Sequence, residues 1–198
     1  FMKNILVTGG AGYIGSHMVL RLVEEGYTPI VLDHFKYSTH QNLDEIKKKT
    51  GQDIKIIKHD LRLEIPDNLI ADKIDAVIHF AALKAVGKSV EKPLECYENN
   101  VGGSINLLKW MRDHEVRNII FSSTAAVYGN NDSNPITENF PLKPANPYAQ
   151  SKITTENIIK DSNKAFGVNS VLLRYFNVAG CVDDGSIGDT QSNVQNCI

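Results

Sequence analysis

Short apolar runs alternate with stretches of helical spacing along most of the chain. A short apolar run that leads into glycine or polar residues is typical of a strand buried in a parallel sheet. Strands are predicted at 3–8, 28–32, 53–58, 74–80, 117–123 and 168–175. Between them, apolar residues three or four positions apart predict helices at 16–26 and 95–114, and further helices are expected at 42–50, where the residues are mostly polar, and from Asn146 onward. This alternation predicts an α/β fold with helices on both faces of one parallel sheet.

A glycine-rich loop joins the first predicted strand to the first helix. Its sequence is Gly-Gly-Ala-Gly-Tyr-Ile-Gly, residues 9–15. Glycines at such a turn let the backbone approach a pyrophosphate closely, and the helix N-terminus attracts the phosphate charge. The order of strand, glycine loop and helix therefore predicts a dinucleotide site at Gly9, Gly12, Tyr13, Ile14 and Gly15.

Asp33 ends the second predicted strand, about 20 residues beyond the glycine loop. A dinucleotide fold places at this position a carboxylate that hydrogen-bonds the adenosine ribose. Because a carboxylate repels a 2′-phosphate, we expect NAD rather than NADP, although Lys36 lies nearby. A turn residue without a ligand role is the alternative for Asp33. Together with the glycine loop, this residue predicts a Rossmann-type, doubly wound sheet.

The other predicted strands also end in candidate ligand residues, as expected where a doubly wound sheet binds its ligands. Asp60 follows the third strand and could meet the adenine. Small residues at 81–87 would let a cofactor pass close to the backbone, and Lys84 is a candidate contact for its ribose or phosphates, with a surface lysine as the alternative. Hydroxyl groups at 122–124 are expected to hydrogen-bond a substrate.

The helix that begins at Asn146 carries a candidate acid–base pair. Asn146 is a good N-cap residue and Pro147 a good first helical residue. Tyr148 and Lys152 then lie four positions apart, on one face of the helix. An ammonium near a phenol is expected to lower the phenol pKa and to make the tyrosine a usable general base. Such a pair is also common on solvated helices, so its context decides.

The predicted helix at 95–114 has two unusual features. Asn99 lies inside it beside a second asparagine, where this residue type is a poor helix former, so we expect a polar role near the cofactor. Its apolar stripe is wider than one sheet needs, which indicates either a partner helix or a fully packed core. The stripe consists of Ile105, Leu107, Leu108, Trp110 and Met111.

Bulk composition favours a small-molecule ligand. Hydrophobic residues make up 42% of the 198 residues and charged residues 22%, and the formal charge of -2 favours neither nucleic acid nor membrane. Three cysteines, Cys96, Cys181 and Cys197, without a Cys-x-x-Cys pair indicate neither a disulfide framework nor a zinc site, so no metal site is predicted. A cytoplasmic location is expected. No apolar run approaches membrane length.

Five segments resemble, in order and spacing, motifs of the extended short-chain dehydrogenase/reductase superfamily and, within it, of the UDP-glucose 4-epimerases. The segments are residues 8–17, 78–87, 122–129, the pair at 148 and 152, and 173–177. The resemblance implies an isomerase in which Tyr148 takes a proton from the sugar 4-hydroxyl while a hydride passes to NAD. Lys152 would hold the nicotinamide ribose and keep the tyrosine pKa low, and Thr124 would hydrogen-bond the reacting oxygen.

The same resemblance implies the remaining contacts and the partners. Further cofactor contacts are expected at Leu61, Phe80, Ala81, Lys84, Asn99, Ser122 and Tyr175, and substrate contacts at Lys84, Thr124, Tyr148, Phe176 and Asn177. The implied substrate is a nucleotide sugar and the implied assembly a homodimer. Related dehydratases place acidic residues where this chain has Ala125 and Ala126, so elimination chemistry is disfavoured.

We expect two domains: an NAD-binding domain over residues 1–177, and the start of a substrate domain, largely missing, over residues 178–198. Because the part that selects the sugar is then absent, two alternatives stay open. The protein could be an epimerase or reductase of another nucleotide sugar, or this chain could bind NAD without turnover.

Overall fold

Six parallel strands form one sheet in the computed structural model, which describes residues 2–130 and 135–189. The strands are β1 Asn4–Thr8, β2 Thr28–Asp33, β3 Lys55–Lys58, β4 Ala76–His79, β5 Asn118–Ser122 and β6 Asn169–Leu173. The helices are α1 Tyr13–Glu24, α2 Gln41–Thr50, α3 Val86–Glu91, α4 Pro93–Tyr97, α5 Gly103–Asp113 and α6 Pro147–Phe166. All six predicted strands are present, most of them shorter than predicted.

The strands lie in the order β3-β2-β1-β4-β5-β6. Ile5 of β1 pairs with Pro29 on one side and with Ala76 of β4 on the other. The chain therefore winds outward in both directions from the boundary between β1 and β4. At such a boundary the loops at the carboxyl ends of the strands separate and leave a crevice.

Helices cover both faces of the sheet, which confirms the predicted doubly wound fold. Leu6 of β1 packs in a cluster with Leu107 of α5 and Ile159 of α6. Its neighbour Val7 points to the opposite face and packs with Val19 of α1. This alternation follows from the two-residue period of a strand. The carboxyl ends of the strands are the edge at which a sheet of this kind binds ligands.

The helix predicted at 95–114 is present as a continuous helical run from Pro93 to Asp113, but it contains a turn that the sequence did not predict. This π-helical turn, Glu98–Gly102, joins α4 to α5. Asn100 in this turn is buried, and its side chain accepts a hydrogen bond from the Leu83 N–H at 2.8 Å and donates one to the Leu83 carbonyl at 3.1 Å. Its own carbonyl accepts from the Ser104 hydroxyl at 2.5 Å. The helix widens here because Asn100 holds the loop that follows β4.

The wide apolar stripe of this helix belongs to the core. Leu107, Leu108, Trp110 and Met111 are all at least 96% buried and pack against the sheet and α6. Four of the five stripe residues therefore belong to the packed core, whereas Ile105 is only partly buried. Two short elements, α3 and a 3₁₀ turn over Ala125–Tyr128, were not predicted.

Residues 180–189 contain no helix or strand but pack onto the domain. Ile187 is fully buried in the cluster that contains Val19 of α1 and Ile46 of α2. Asn42 of α2 donates a hydrogen bond to the Gly188 carbonyl at 2.9 Å. We call residues 180–189 the cover segment.

No helix in the described part of the chain combines the length and the apolar character needed to cross a membrane. Within the same residues, no three His, Cys, Asp or Glu side chains are grouped as a metal site requires. Cys96 and Cys181 are free thiols, whereas Cys197 lies outside the described residues.

Candidate active site

A cavity of about 580 Å³ follows the carboxyl ends of the strands. Every site residue predicted from the sequence lines it, although what each residue binds stays a prediction. These are Gly9, Gly12, Tyr13, Ile14, Gly15, Asp33, Asp60, Leu61, Phe80, Ala81, Lys84, Asn99, Ser122, Thr124, Tyr148, Lys152, Tyr175, Phe176 and Asn177.

The glycine loop is packed so tightly that a side chain is excluded at Gly9 and at Gly15. Gly9 has a φ of 69°, and a Cβ there would lie 2.7 Å from the Ala81 backbone nitrogen. A Cβ on Gly15 would lie 2.2 Å from the Gly9 carbonyl oxygen. Gly12 is the N-cap of α1, and no side chain of the described residues caps this helix. The loop thus presents a helix N-terminus to the cavity, an arrangement that suits a phosphate.

Asp33 lies beside this loop and is 93% buried. Its carboxylate accepts hydrogen bonds from the Ala11 N–H at 3.2 Å, the Phe35 N–H at 2.9 Å and the Ser38 hydroxyl at 2.9 Å. Burial alone would raise the Asp33 pKa, but hydrogen bonds from His34 and from these three groups outweigh it and leave the pKa below its usual value. The carboxylate is therefore ionised and fixed at neutral pH.

The side of the cavity near β3 holds a second carboxylate. Arg62 binds Asp60 through its Nη2 at 2.6 Å, and this contact lowers the Asp60 pKa to about 2. His59 lines the cavity beside it, and its Nε2 is buried without a hydrogen-bond partner among the described residues.

The catalytic pair predicted from the sequence lies at the far end of the cavity. Asn146 caps α6 by accepting a hydrogen bond from the Ala149 N–H at 2.8 Å. Tyr148, the second residue of α6, then lies in hydrogen-bond contact with Thr124. Lys152 is 97% buried, and its Nζ donates to the Ser122 carbonyl at 2.7 Å. The helix start thus sets a phenol and an ammonium against the end of β5.

The sequence predicts that Lys152 lowers the Tyr148 pKa, but with the protein groups alone this pKa is raised. Burial raises the Tyr148 pKa to about 12, which outweighs the opposing hydrogen bond from Thr124. Burial also lowers the Lys152 pKa to about 8, so its positive charge is retained at pH 7. The Lys152 ammonium lies 5.9 Å from the centre of the Tyr148 ring and is directed to the Ser122 carbonyl instead of the phenol oxygen.

Sequence reasoning missed part of the cavity wall. Ala82, Leu83, Val86 and Ser123 lie within the predicted segments 81–87 and 122–124, and the missed residues are Leu32, His34, Tyr37, Ser38, His59, Ala126 and Val178. Most of them directly follow the end of a strand or neighbour a predicted residue, so position relative to strand ends is the signal that would have found them.

The cover segment contacts two residues that line the cavity, Tyr13 and Lys84. The Tyr13 hydroxyl donates a hydrogen bond to the Gly180 carbonyl. At the other end of the segment, Asp189 lies 3.7 Å from the Lys84 ammonium. The segment therefore joins the glycine loop to the loop that follows β4, which lie on opposite sides of the boundary between β1 and β4.

Two known proteins show strong similarity to this chain. It is 46% identical over 195 residues to the UDP-glucose 4-epimerase of Bacillus subtilis, covering 97% of this chain and 58% of the Bacillus protein. It superimposes with a TM-score of 0.91 on a crystal structure of UDP-glucose 4-epimerase from Bifidobacterium longum in complex with NAD+ and UDP. That pair is 41% identical, with 97% of this chain and 58% of the other covered.

A more distant neighbour acts on a different sugar. The UDP-N-acetylglucosamine 4-epimerase from Methanobrevibacter ruminantium M1, solved in complex with UDP-N-acetylmuramic acid, gives a TM-score of 0.82 at 36% identity. The match covers 91% of this chain and 56% of that one. In all three comparisons, the chain spans less than two thirds of the relative.

The model of the NAD dependent epimerase/dehydratase family matches residues 5–191. The chain belongs to this family.

Proposed function

We propose that this chain is the cofactor-binding and catalytic part of an NAD-dependent UDP-glucose 4-epimerase. One observation carries the proposal: a single cavity joins a phosphate-binding glycine loop and Asp33 at one end to Tyr148, Lys152 and Thr124 at the other. A dinucleotide laid along this cavity would bring its reactive ring to the phenol. The similarity to 4-epimerases over nearly the whole chain supports the same conclusion.

The residues present fit NAD. The glycine loop has no room for a Cβ at Gly9 or Gly15, and the start of α1 faces the cavity. Asp33 is ionised and held by three donors, which suits the two ribose hydroxyls and disfavours a 2′-phosphate. We assign the adenosine to Asp33, Asp60 and Leu61, and the nicotinamide end to Phe80, Tyr148 and Lys152. NAD supplies a nicotinamide ring that accepts a hydride from a sugar carbon and returns it.

The remaining chemistry is proton transfer at the sugar 4-hydroxyl. Tyr148 Oη would take the proton as the alcohol is oxidised and give it back on reduction. Thr124 would hydrogen-bond the same oxygen, since it already contacts the phenol. Lys152 keeps its charge behind the phenol because its pKa is about 8. A positively charged nicotinamide would add to this field and favour the phenolate that burial alone disfavours.

The substrate we propose is UDP-glucose or UDP-galactose, contacted by Lys84, Phe176 and Asn177. Thr124 is followed by Ala125 and Ala126, which cannot donate the additional proton that elimination would require. A second candidate is a 4-epimerase of an N-acetylated UDP-sugar, which the resemblance to the Methanobrevibacter enzyme favours. A chain that binds NAD without turnover is the third possibility, and the assays below distinguish it.

The proposal includes the division at residue 177, a cytoplasmic location and a homodimer. The two described cysteines are free thiols, as expected in a reducing compartment. Val90 of α3 and Leu94 of α4 are 61% and 83% exposed and lie beside α6, so a second copy could cover them. Sedimentation equilibrium with Leu94→Lys as the variant tests the dimer.

The first test is a calorimetric titration of the chain with NAD and with NADP. We expect NAD to bind more tightly, and Asp33→Ala to reduce this preference. Equal affinity for the two dinucleotides in the unaltered chain would contradict the assignment of Asp33.

The second test is turnover of UDP-galactose, followed by coupling the product to UDP-glucose dehydrogenase. We expect Tyr148→Phe to lower kcat by roughly 10²–10⁴-fold, the usual contribution of a general acid–base group, while NAD still binds. Parallel assays with UDP-N-acetylgalactosamine decide between the two sugar classes. An unchanged rate in the variant would rule out Tyr148 as the proton carrier.

A further inference from the structure

A buried carboxylate lies one turn beyond Lys152 on α6. Glu156 has no exposed surface. Its Oε1 accepts hydrogen bonds from Ser123 Oγ at 2.5 Å and from Arg174 Nε at 2.9 Å, and its Oε2 accepts from Arg174 Nη2 at 2.6 Å. Hydrogen bonds from Arg174 and Ser123 outweigh burial and hold the Glu156 pKa below its usual value. Glu156 is therefore a buried anion with a bidentate partner.

Arg174 is held as firmly as the carboxylate. Its Nη1 donates to the Tyr128 hydroxyl at 2.9 Å, and its guanidinium lies 5.3 Å from the centre of that ring. The second cation near Glu156, Lys160, approaches only to 3.7 Å and is about half exposed. Burying an ion pair seldom adds stability over an apolar pair of the same shape, but its directional bonds fix one arrangement. We therefore expect the pair to fix the relative position of α6 and the end of β6 more than to add to stability.

The pair belongs to a row of contacts between α6 and the end of β5. Three consecutive residues of the chain, 122, 123 and 124, each bond a different helix residue. The Ser122 carbonyl accepts from Lys152, the Ser123 hydroxyl donates to Glu156, and Thr124 bonds Tyr148. Of the three helix residues, Tyr148 and Lys152 line the cavity, whereas Glu156 lies behind it.

Arg174 links the same row to the end of β6. The next residue, Tyr175, hydrogen-bonds the Ser122 hydroxyl and lines the cavity. Its carbonyl accepts from the Ala125 N–H at 2.9 Å. Phe176 and Asn177 follow on the cavity wall. A displacement of Glu156 or Arg174 would therefore move the catalytic helix and this part of the cavity wall relative to each other.

We propose that Glu156 and Arg174 are positioning residues for the proton transfer by Tyr148. They fix the position of α6 along the end of β5, and thereby the distance between the Tyr148 phenol and the Thr124 hydroxyl. The inference rests on the proposed function. A misplacement of about 1 Å at a reacting group can cost roughly 100-fold in rate, so a residue that touches no substrate can control kcat.

Two variants of the complete protein separate position from charge. Glu156→Gln keeps the length of the side chain but removes its charge. Glu156→Asp keeps the charge but shortens the side chain by one methylene, so α6 must move to preserve the contacts. We expect both to lower kcat for UDP-galactose by at least tenfold, with KM and NAD affinity changed less than threefold. Lys160→Gln removes a nearby cation that the row does not use, and should leave kcat within twofold.

A readout that does not depend on turnover is the 19F spectrum of protein labelled with 3-fluorotyrosine. The Tyr148 signal is assigned by its loss in Tyr148→Phe. We expect the Glu156 variants to shift or broaden this signal and to leave that of Tyr27, far from the row, unchanged. Should Glu156→Gln not fold, Ser123→Ala removes one bond of the row and should shift the signal in the same way.

The outcomes are distinct. Folded Glu156 variants with a lowered Tm, an unchanged Tyr148 signal and kcat within twofold would show a purely structural role and overturn the inference. Absence of turnover in the unaltered protein would refute the proposed function, and the 19F spectrum would then decide the positioning by itself.

Discussion

At the scale of single residues, the fold itself requires glycine at position 9. Its positive φ costs a residue with a side chain about 1–2 kcal/mol. The atoms that a Cβ would meet belong to the backbone of Phe80 and Ala81, which cannot rotate away. The loop that would hold the pyrophosphate therefore packs directly against the backbone of the loop that follows β4.

We predict that Gly9→Ala lowers the free energy of unfolding by more than about 1 kcal/mol and weakens NAD binding, because the loop must move away from Ala81. Urea unfolding and calorimetric titration with NAD measure the two effects. Gly87→Ala is the matched control. Gly87 lies in α3 with open space around it, so alanine there should be neutral or stabilising by up to about 1 kcal/mol. Equal effects of the two substitutions would contradict this account of the loop.

His79 is a buried histidine with a defined proton position. The Ser104 hydroxyl donates to the Asn100 carbonyl, so it must accept from His79 Nε2–H at 2.9 Å. The Thr8 hydroxyl then donates to His79 Nδ1 at 2.6 Å. Burial, with a smaller contribution from the charge of Lys152, lowers the His79 pKa to about 3. Protonation would break this chain of hydrogen bonds.

The depressed pKa of His79 predicts a loss of stability in mild acid. Below the unfolded value of about 6.5, the unfolded chain takes up a proton that the folded chain does not, so stability falls with pH toward the folded pKa of about 3. We expect roughly 1.4 kcal/mol per pH unit between pH 6 and 5. Urea unfolding at several pH values measures the slope, which should be smaller in His79→Gln. A ring NMR signal of His79 that titrates near pH 6.5 in the folded protein would refute the prediction.

At the scale of elements, the start of α6 determines where Tyr148 lies. Asn146 bonds the first turn, and Tyr148 is only the second residue of the helix. We predict that Asn146→Ala destabilises the protein by about 1 kcal/mol and lowers kcat more than it changes KM, because the first turn frays. Asn146→Asp retains a capping oxygen and is the control. Equal kinetics of the alanine and aspartate variants would show that the cap does not position the phenol.

The elements that the sequence predicted correctly are those whose signal is local. A few consecutive residues are enough to determine each of three such features: the apolar run of β1, the glycine loop, and the helix start at Asn146 and Pro147. The π-helical turn between α4 and α5 could not be predicted in this way, because Asn100 widens the helix by bonding Leu83 of a distant loop. Local spacing showed only that asparagine was unusual there.

The same distinction applies to the site. Strand ends predicted most of the cavity wall, since parallel strands bring their carboxyl ends to one edge. The Glu156–Arg174 pair joins α6 to the end of β6 and leaves no spacing pattern in the sequence. The raised Tyr148 pKa was also not predictable, because spacing reveals a nearby ammonium but not the burial that opposes it.

At the scale of the whole molecule, the cover segment contacts Tyr13 of the glycine loop and Lys84 of the loop after β4, so we expect it to slow the departure of a bound dinucleotide. We predict that Ile187→Ala loosens the segment, because a buried Ile→Ala change costs about 2–5 kcal/mol and Ile187 is the one fully buried side chain among residues 180–189. NAD dissociation, followed by stopped-flow fluorescence, should accelerate by at least tenfold. Asp183→Asn, an exposed position in the same segment, is the control. An unchanged dissociation rate would show that the segment does not retain the cofactor.

The strand order also has a consequence for how the protein acquires its site. Ile5 pairs with Pro29, 24 residues away in the chain, but also with Ala76, 71 residues away. Contacts between residues distant in sequence form slowly, because closing a longer loop costs more conformational entropy. We therefore expect β1 and β2 to be protected before β4 in pulsed hydrogen exchange during refolding. The crevice at the carboxyl ends of β1 and β4 would then form late. A partly folded chain could therefore contain the glycine loop and Asp33 before the rest of the cavity is assembled around them.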